Sequence, residues 1–396
     1  MAEFSQNSSS GKGNKHSIKR EKATDETKCS YKQRLAANRR GFAGKPPDRK
    51  HPYLFKFLDS SILLKRTSKD LLRNIMVPDR INQSIVFLER NTFTIDFRRP
   101  EFPHKWTEYG ETAPDEIVAR LRDATIAICN KLPLREPVLA QLPKLRLVAV
   151  AATGVDNIDL AFCRTHGIAV CNTRGYAASS LPEHALMLML CLRRNLIAYR
   201  EDVQAGRWQH AKQYCLLDHQ IGDLHGTKLG ILGYGTLGQS MGRLSQSIGM
   251  NVLVAEHKNA TVVREGRMSF VDVLQQSDVL SLHCPLTEET RNLIGAPEIQ
   301  QMKHGAILIN TARGGLVDAT ALLQALKEGR LGGAGIDVLS TEPPREGNVL
   351  LEASLPNLIV TPHIAWASRQ AMQTLGSQLI DSLEAFERGE PRNLVR

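Results

Sequence analysis

The chain has 396 residues, 42% of them hydrophobic, which is enough for two domains with substantial cores and typical of a soluble globular protein. No apolar run approaches the roughly 18 residues of a membrane span, so no membrane partner is expected. The formal charge of +10 suggests a nucleic-acid partner until it is located: residues 1–75 hold 18 Lys+Arg against 7 Asp+Glu, whereas residues 76–396 hold 33 against 34. No nucleic acid is therefore expected on the folded part.

The basic leader is rich in Ser, Lys, Arg and Asn, and its first fifty residues are expected to be disordered. Glu21, Asp25 and Glu26 and the lack of an apolar segment near the start exclude a secretory signal. A basic interaction tail, a disordered appendage and an upstream region outside the functional gene product all remain open. The last two are favoured, because Met76 would begin a chain whose first strand, Ser84 to Leu88, follows at once. The seven cysteines are odd in number and scattered, without C-x-x-C, which points to reduced thiols in the cytoplasm.

From Ser84 short apolar runs alternate with helical segments. Strands are expected at 84–88, 124–129, 145–151 and 168–171, with helices at 114–122 and 137–142. This is the rhythm of a parallel sheet with helices on its faces. Between the third and fourth strands, Thr153-Gly154-Val155-Asp156 reads either as a turn opening a helix or as a loop whose amides hold a small anion. Ser179, Ser180 and Pro182 then open a helix through an apolar run at 185–192, too continuous for a solvent face and suited to a buried linker or a subunit contact. His184 on it reads as structural, and beyond Arg193 the helix is expected to turn amphipathic and continue to near Gly206.

A second unit begins at Gly226. Leu229, Ile231 and Leu232 form a short strand, and Gly233, Gly235 and Gly238 follow in the G-x-G-x-x-G spacing as a helix starts. That pattern serves a tight turn, close approach of a pyrophosphate to backbone, and close packing of helix on strand. The helix start would face the phosphates with free N–H groups. A second strand, 251–255, ends in Glu256, placed to accept from an adenosine ribose. Later strands are expected at 279–283, 306–310, 335–338 and 358–360, and a polar surface tail at 388–396. Ligands of such sheets bind past the carboxyl ends of strands, which singles out Cys284-Pro285, Thr311-Ala312-Arg313, Asp337 and Thr361-Pro362-His363. Arg313, between a strand end and two glycines, suits a carboxylate. His363 can exchange a proton near neutrality, although a histidine at such a point is more often structural, and Glu342 could orient it.

Together these blocks resemble the D-2-hydroxy acid dehydrogenase family. The matching runs are 233–238 (Gly-Tyr-Gly-Thr-Leu-Gly), 283–287 (His-Cys-Pro-Leu-Thr) with Thr290 and Asn292, 310–318 (Asn-Thr-Ala-Arg-Gly-Gly-Leu-Val-Asp), Gly335-Ile336-Asp337-Val338, Glu342-Pro343 and Pro362-His363-Ile364. The resemblance implies an α/β fold of two flavodoxin- or Rossmann-like domains with doubly wound parallel sheets. The substrate domain would be discontinuous, 76–178 plus 364–396, and the NAD domain would span 179–363. It implies hydride transfer between a nicotinamide and C2 of a small 2-oxo or 2-hydroxy acid. Arg313 would anchor substrate together with the Thr153 and Gly154 amides, and His363 would be the acid/base with Glu342 as its partner. Thr236, Leu237 and Glu256 would lie at the dinucleotide and Asp337 near the carboxamide; Cys284, Pro285, Thr290, Thr311 and Ala312 are further cofactor candidates. Glu256 favours NAD, Lys258 leaves NADP open, no metal is implied, and a homodimer is expected. Ala151-Ala152-Thr153-Gly154, the turn from Ala255 to Lys258, and Ile364-Ala365-Trp366 resemble the hydroxypyruvate-reducing branch. Glyoxylate or 2-ketogluconate reduction, or an NAD-sensing corepressor, are the alternatives.

Overall fold

The computed structural model describes residues 83–395; the basic leader lies outside the described residues. Two parallel sheets carry the fold. The first contains β1 (Gln83–Phe87), β2 (His104–Glu108), β3 (Ile126–Cys129), β4 (Leu147–Val150) and β5 (Ala169–Asn172), in the order β2-β1-β3-β4-β5. The second contains β6 (Lys228–Leu232), β7 (Asn251–Val254), β8 (Val279–Leu282), β9 (Ala306–Asn310), β10 (Leu331–Ile336) and β11 (Leu358–Val360), in the order β11-β10-β9-β8-β6-β7. In both sheets the order reverses beside the first strand, which opens a crevice at the carboxyl edge between β1 and β3 and between β6 and β8.

Each sheet is buried on both faces, so its central strands are continuously apolar rather than alternating. One face of the first packs Leu121, Leu139 and Cys163 from the short helices between its strands. The other receives the C-terminal helix Arg369–Glu387, whose Met372, Leu375, Leu379, Leu383 and Phe386 recur at helical spacing and pack against Ile85, Phe87, Ile126 and Leu147. The second sheet is covered by Ala185, Leu188 and Leu192 of helix Ser180–Arg193 with Met241, and on its far face by helices Phe270–Gln276, Ala296–Gln301 and Ala319–Lys327.

Several expectations need correction. A strand, β2, occupies 104–108, where none was expected; it is an edge strand with polar, half-exposed residues, paired to β1 alone. The helix expected to run unbroken past Arg193 ends there, because Asn195 adopts φ +49, and a separate helix covers Leu196–Gln204. Ser179 makes no side-chain cap, and the Ser180 hydroxyl instead donates to the Ala365 carbonyl at 2.8 Å. The polar tail lies at the surface as expected, and its end is tied down. The Asn172 amide donates to Asn393 and the Val395 amide to Val170, tying the chain end to β5. Among the described residues no helix is long and apolar enough to cross a membrane.

Candidate active site

The glycine turn behaves as its spacing requires. Gly233 has φ +93, and a Cβ there would meet the Cys284 amide at 2.5 Å. One on Gly238 would strike the Gly233 carbonyl, so helix Thr236–Ser247 can sit on β6 only with glycine at this point. Gly235 has open space where a Cβ would be, as a backbone that must meet a phosphate needs.

That turn borders a cavity of about 500 Å³. Thr153 and Gly154 line it from the first sheet; Gly235, Thr236 and Leu237, Cys284 and Pro285, Thr311, Ala312 and Arg313, Asp337, and His363 line it from the second. Thr311 is buried and its hydroxyl has no partner among the described residues, an orphaned polar atom of the sort a bound cofactor would satisfy. With the open Gly235, this makes the cleft fit a dinucleotide.

Arg313 reaches across to the first sheet. Its Nε donates to Asp156 Oδ2 at 3.2 Å, its Nη1 to the Ala312 carbonyl at 2.7 Å, and its Nη2 lies so close to Gly154 that a Cβ there would clash. His363 stands past β11 with φ +56, a conformation disfavoured for a histidine. Asp337 holds it there. The Asp337 carbonyl accepts the His363 amide at 2.8 Å, and its buried carboxylate accepts the amides of Ile364 (2.9 Å) and Ala365 (2.8 Å) and the Thr361 hydroxyl (2.6 Å). His184 Nε2 lies 3.0 Å from that hydroxyl, the structural role expected of it.

His363 Nδ1 is 2.5 Å from Glu342 Oε2, and Glu342 Oε1 accepts the Leu339 amide at 2.8 Å. Burial would raise the Glu342 carboxyl, but the hydrogen bonds of His363 and Leu339 and the charges of His363 and Lys131 hold it below the ordinary glutamate value. The cavity's other histidine, His283, is pushed down by burial to about 4 and pairs with Ser281 at 2.9 Å. His363 is the histidine of the cavity that has a carboxylate partner. Burial raises the Tyr176 hydroxyl to about 12, so this residue, with Trp366, forms a neutral wall.

Two assigned residues are otherwise engaged. Glu256 stands past β7 as expected, yet it is nearly buried and its oxygens take Arg264 Nε (2.7 Å), Arg264 Nη2 (2.5 Å) and the His257 amide (2.9 Å). The Arg264 hydrogen bonds hold it far below the usual carboxylate range, so any ribose hydroxyl would share it with that guanidinium. The physical reason is that a lone carboxylate there would be desolvated without compensation. Thr290 lies outside the cavity walls; its hydroxyl donates to the Pro285 carbonyl at 2.8 Å and shapes the loop. Lys131, Tyr176 and Asp156, all on the first sheet's carboxyl edge, line the cavity without having been assigned. Lys131 follows the end of β3 as directly as Arg313 follows β9, so the strand-end rule applied to both sheets would have found it. Among the described residues no group of His, Cys, Asp or Glu is arranged to hold a metal ion.

A glycine turn on a doubly wound sheet, facing an arginine and a carboxylate-bound histidine across a two-sheet cleft, defines a dinucleotide-dependent oxidoreductase. Residues 186–365 match the family model for the NAD binding domain of D-isomer specific 2-hydroxyacid dehydrogenases. A glycerate dehydrogenase of Methylorubrum extorquens is 50% identical over 80% of this chain and 99% of that protein. A hydroxypyruvate reductase of Blautia hydrogenotrophica is 36% identical over 72% of this chain and 88% of that protein. A D-lactate dehydrogenase of Aquifex aeolicus, solved with NAD and lactic acid, superposes with a TM-score of 0.63 at 27% identity, covering 77% and 96% of the two chains. The chain belongs to the D-isomer specific 2-hydroxyacid dehydrogenase family, whose members oxidise or reduce at a CH–OH carbon with NAD.

Proposed function

We propose that the protein is a D-glycerate dehydrogenase acting as a hydroxypyruvate reductase. The observation that carries this reading is the 2.5 Å His363–Glu342 pair sharing one cavity with Arg313 and the glycine turn. The 50% identical glycerate dehydrogenase supports the substrate.

A nicotinamide cofactor held by the glycine turn would supply the hydride for C2 from its reduced form and accept one in its oxidised form. Arg313 and the Thr153–Gly154 amides hold the substrate carboxylate, which displaces Asp156 from the guanidinium; Arg313 also polarises the 2-oxo group. Glu342 fixes His363 through Nδ1, leaving Nε2 to give its proton to the developing alkoxide, or to take it from the hydroxyl in the reverse direction. Tyr176, Trp366 and Leu237 exclude water around the reacting carbon. With Glu256 neutralised by Arg264, the adenosine end repels a 2′-phosphate weakly, so NADPH serves beside NADH. Residues 76–178 with 364–396 act as the substrate domain and 179–363 as the cofactor domain, a division supported by the C-terminal helix packing on the first sheet and helix Ser180–Arg193 on the second.

A homodimer is part of the proposal. Met187, Leu190, Leu196, Trp208 and Leu217, on two successive helices and the loop after them, are 41 to 73% exposed, apolar side chains that a second copy would cover. Light scattering should give twice the chain mass; a monomer at micromolar concentration would refute the dimer. The six cysteines among the described residues are all free, which suits a cytoplasmic location. The activity is tested by NADH and NADPH oxidation with a panel of 2-oxo acids. Hydroxypyruvate should give the highest kcat/KM, and inactivity on every acid would end the reading.

A further inference from the structure

Of the charged side chains that line the cavity without a task in this mechanism, Arg174 is hydrogen-bonded to Asn172 and Leu394, whereas Lys131 is not so engaged. Lys131 lies just past β3, on the same carboxyl edge as Gly154, and lines the cavity with Arg313 and His363. Its backbone is clamped. The Glu89 carboxylate accepts the amides of Asn130 (2.6 Å), Lys131 (3.0 Å) and Leu132 (3.2 Å), and Asn157 Nδ2 donates to the Leu132 carbonyl at 2.8 Å. Charge-assisted bonds to three successive amides hold the loop firmly, so the lysine projects from a fixed point.

The Lys131 side chain keeps access to solvent through the open cavity while protein crowds most of its surroundings, and its ammonium makes no hydrogen bond or ion pair with any described residue, unlike Arg313, which has Asp156. The charges around it are Arg313, Glu342, Asp156 and Glu89. Protein burial and then the Arg313 charge depress its proton affinity below that of an ordinary lysine, and the carboxylates offset this only in part. An incoming oxygen atom would compensate the lost solvation. The substrate carboxylate already has Arg313 and the Thr153–Gly154 amides, which leaves the other end of a small 2-oxo acid.

We infer that Lys131 reads the C3 substituent, its ammonium donating a hydrogen bond to an oxygen on C3 and so favouring 3-hydroxy-2-oxo acids over acids of similar size without that oxygen. The inference rests on the proposed 2-oxo acid reductase activity. A compact ammonium with three donors suits a single hydroxyl better than a planar guanidinium would. Lys131 is thus a specificity-determining residue and takes no part in proton or hydride transfer.

The test compares kcat/KM for hydroxypyruvate, pyruvate and glyoxylate, each with NADH, in wild type, Lys131→Met and Lys131→Arg. A hydrogen bond from a charged donor predicts that Lys131→Met loses about 10- to 100-fold on hydroxypyruvate, mostly as KM. Pyruvate and glyoxylate should change by less than about threefold, and Lys131→Arg should recover part of the loss. A parallel fall on all three acids would place the lysine at the shared carboxylate and overturn the inference, as would unchanged selectivity. A wild type inactive on all three would overturn the proposed function itself, and the inference with it.

Discussion

Two glutamates leave strand ends of the nucleotide-binding sheet, and their partners put them to opposite uses. Glu256, past β7, is bound by the Arg264 guanidinium; Glu342, past β10, is bound by the His363 imidazole. Both carboxyls are held below their ordinary values. The difference lies in the cation. A guanidinium keeps its proton at any pH the fold survives, so the first pair can only set shape and charge. An imidazole exchanges its proton near neutrality, so the second pair can do chemistry. A carboxylate at a strand end is therefore not a site until its partner is known.

The strongest way to break this contrast is His363→Ala. With the proton donor removed, kcat for hydroxypyruvate reduction should fall by about 10³-fold while NADH still binds, as read by fluorescence titration. Near-normal turnover would strip the Glu342 pair of its role. Next in size is Arg313→Ala, expected to lower kcat/KM by about 10²-fold, chiefly through KM, in steady-state assays. A loss confined to kcat would move Arg313 from anchoring to chemistry. The smallest effect sharpens the other half of the contrast. Arg264→Ala takes the nearer guanidinium from Glu256 and leaves Arg267 Nη1 at 3.8 Å, so the NADPH-to-NADH ratio of kcat/KM should drop by about threefold to tenfold, with NADH little changed. An unaltered ratio would show that the pair has no bearing on the cofactor.

The parts legible in the sequence are those whose geometry is imposed locally. Gly233, Gly235 and Gly238 meet steric demands within a few residues, and Arg313 and His363 follow directly from strand ends. The parts that escaped depend on distant partners. β2 is a strand because β1 offers it an edge, despite the half-exposed residues of His104–Glu108. The chain end is ordered because β5 accepts residues 393–395. Glu256 sits where its spacing places it, but its availability is decided by Arg264, whose charge nothing in the Gly-x-Gly-x-x-Gly pattern encodes. Lys131 depends likewise on Glu89, 42 residues earlier, to hold its loop. The Asn195 break needs a left-handed backbone that asparagine tolerates, a signal that the surrounding helical periodicity masked.

The central claim is that Glu342 tunes a proton that His363 delivers. The measurement that bears on it most directly is the pH dependence of kcat for reduction in wild type and Glu342→Gln. A neutral partner disfavours the imidazolium, so activity should be lost on the alkaline side at a lower pH in the variant than in wild type. Profiles that superimpose after scaling would contradict the account.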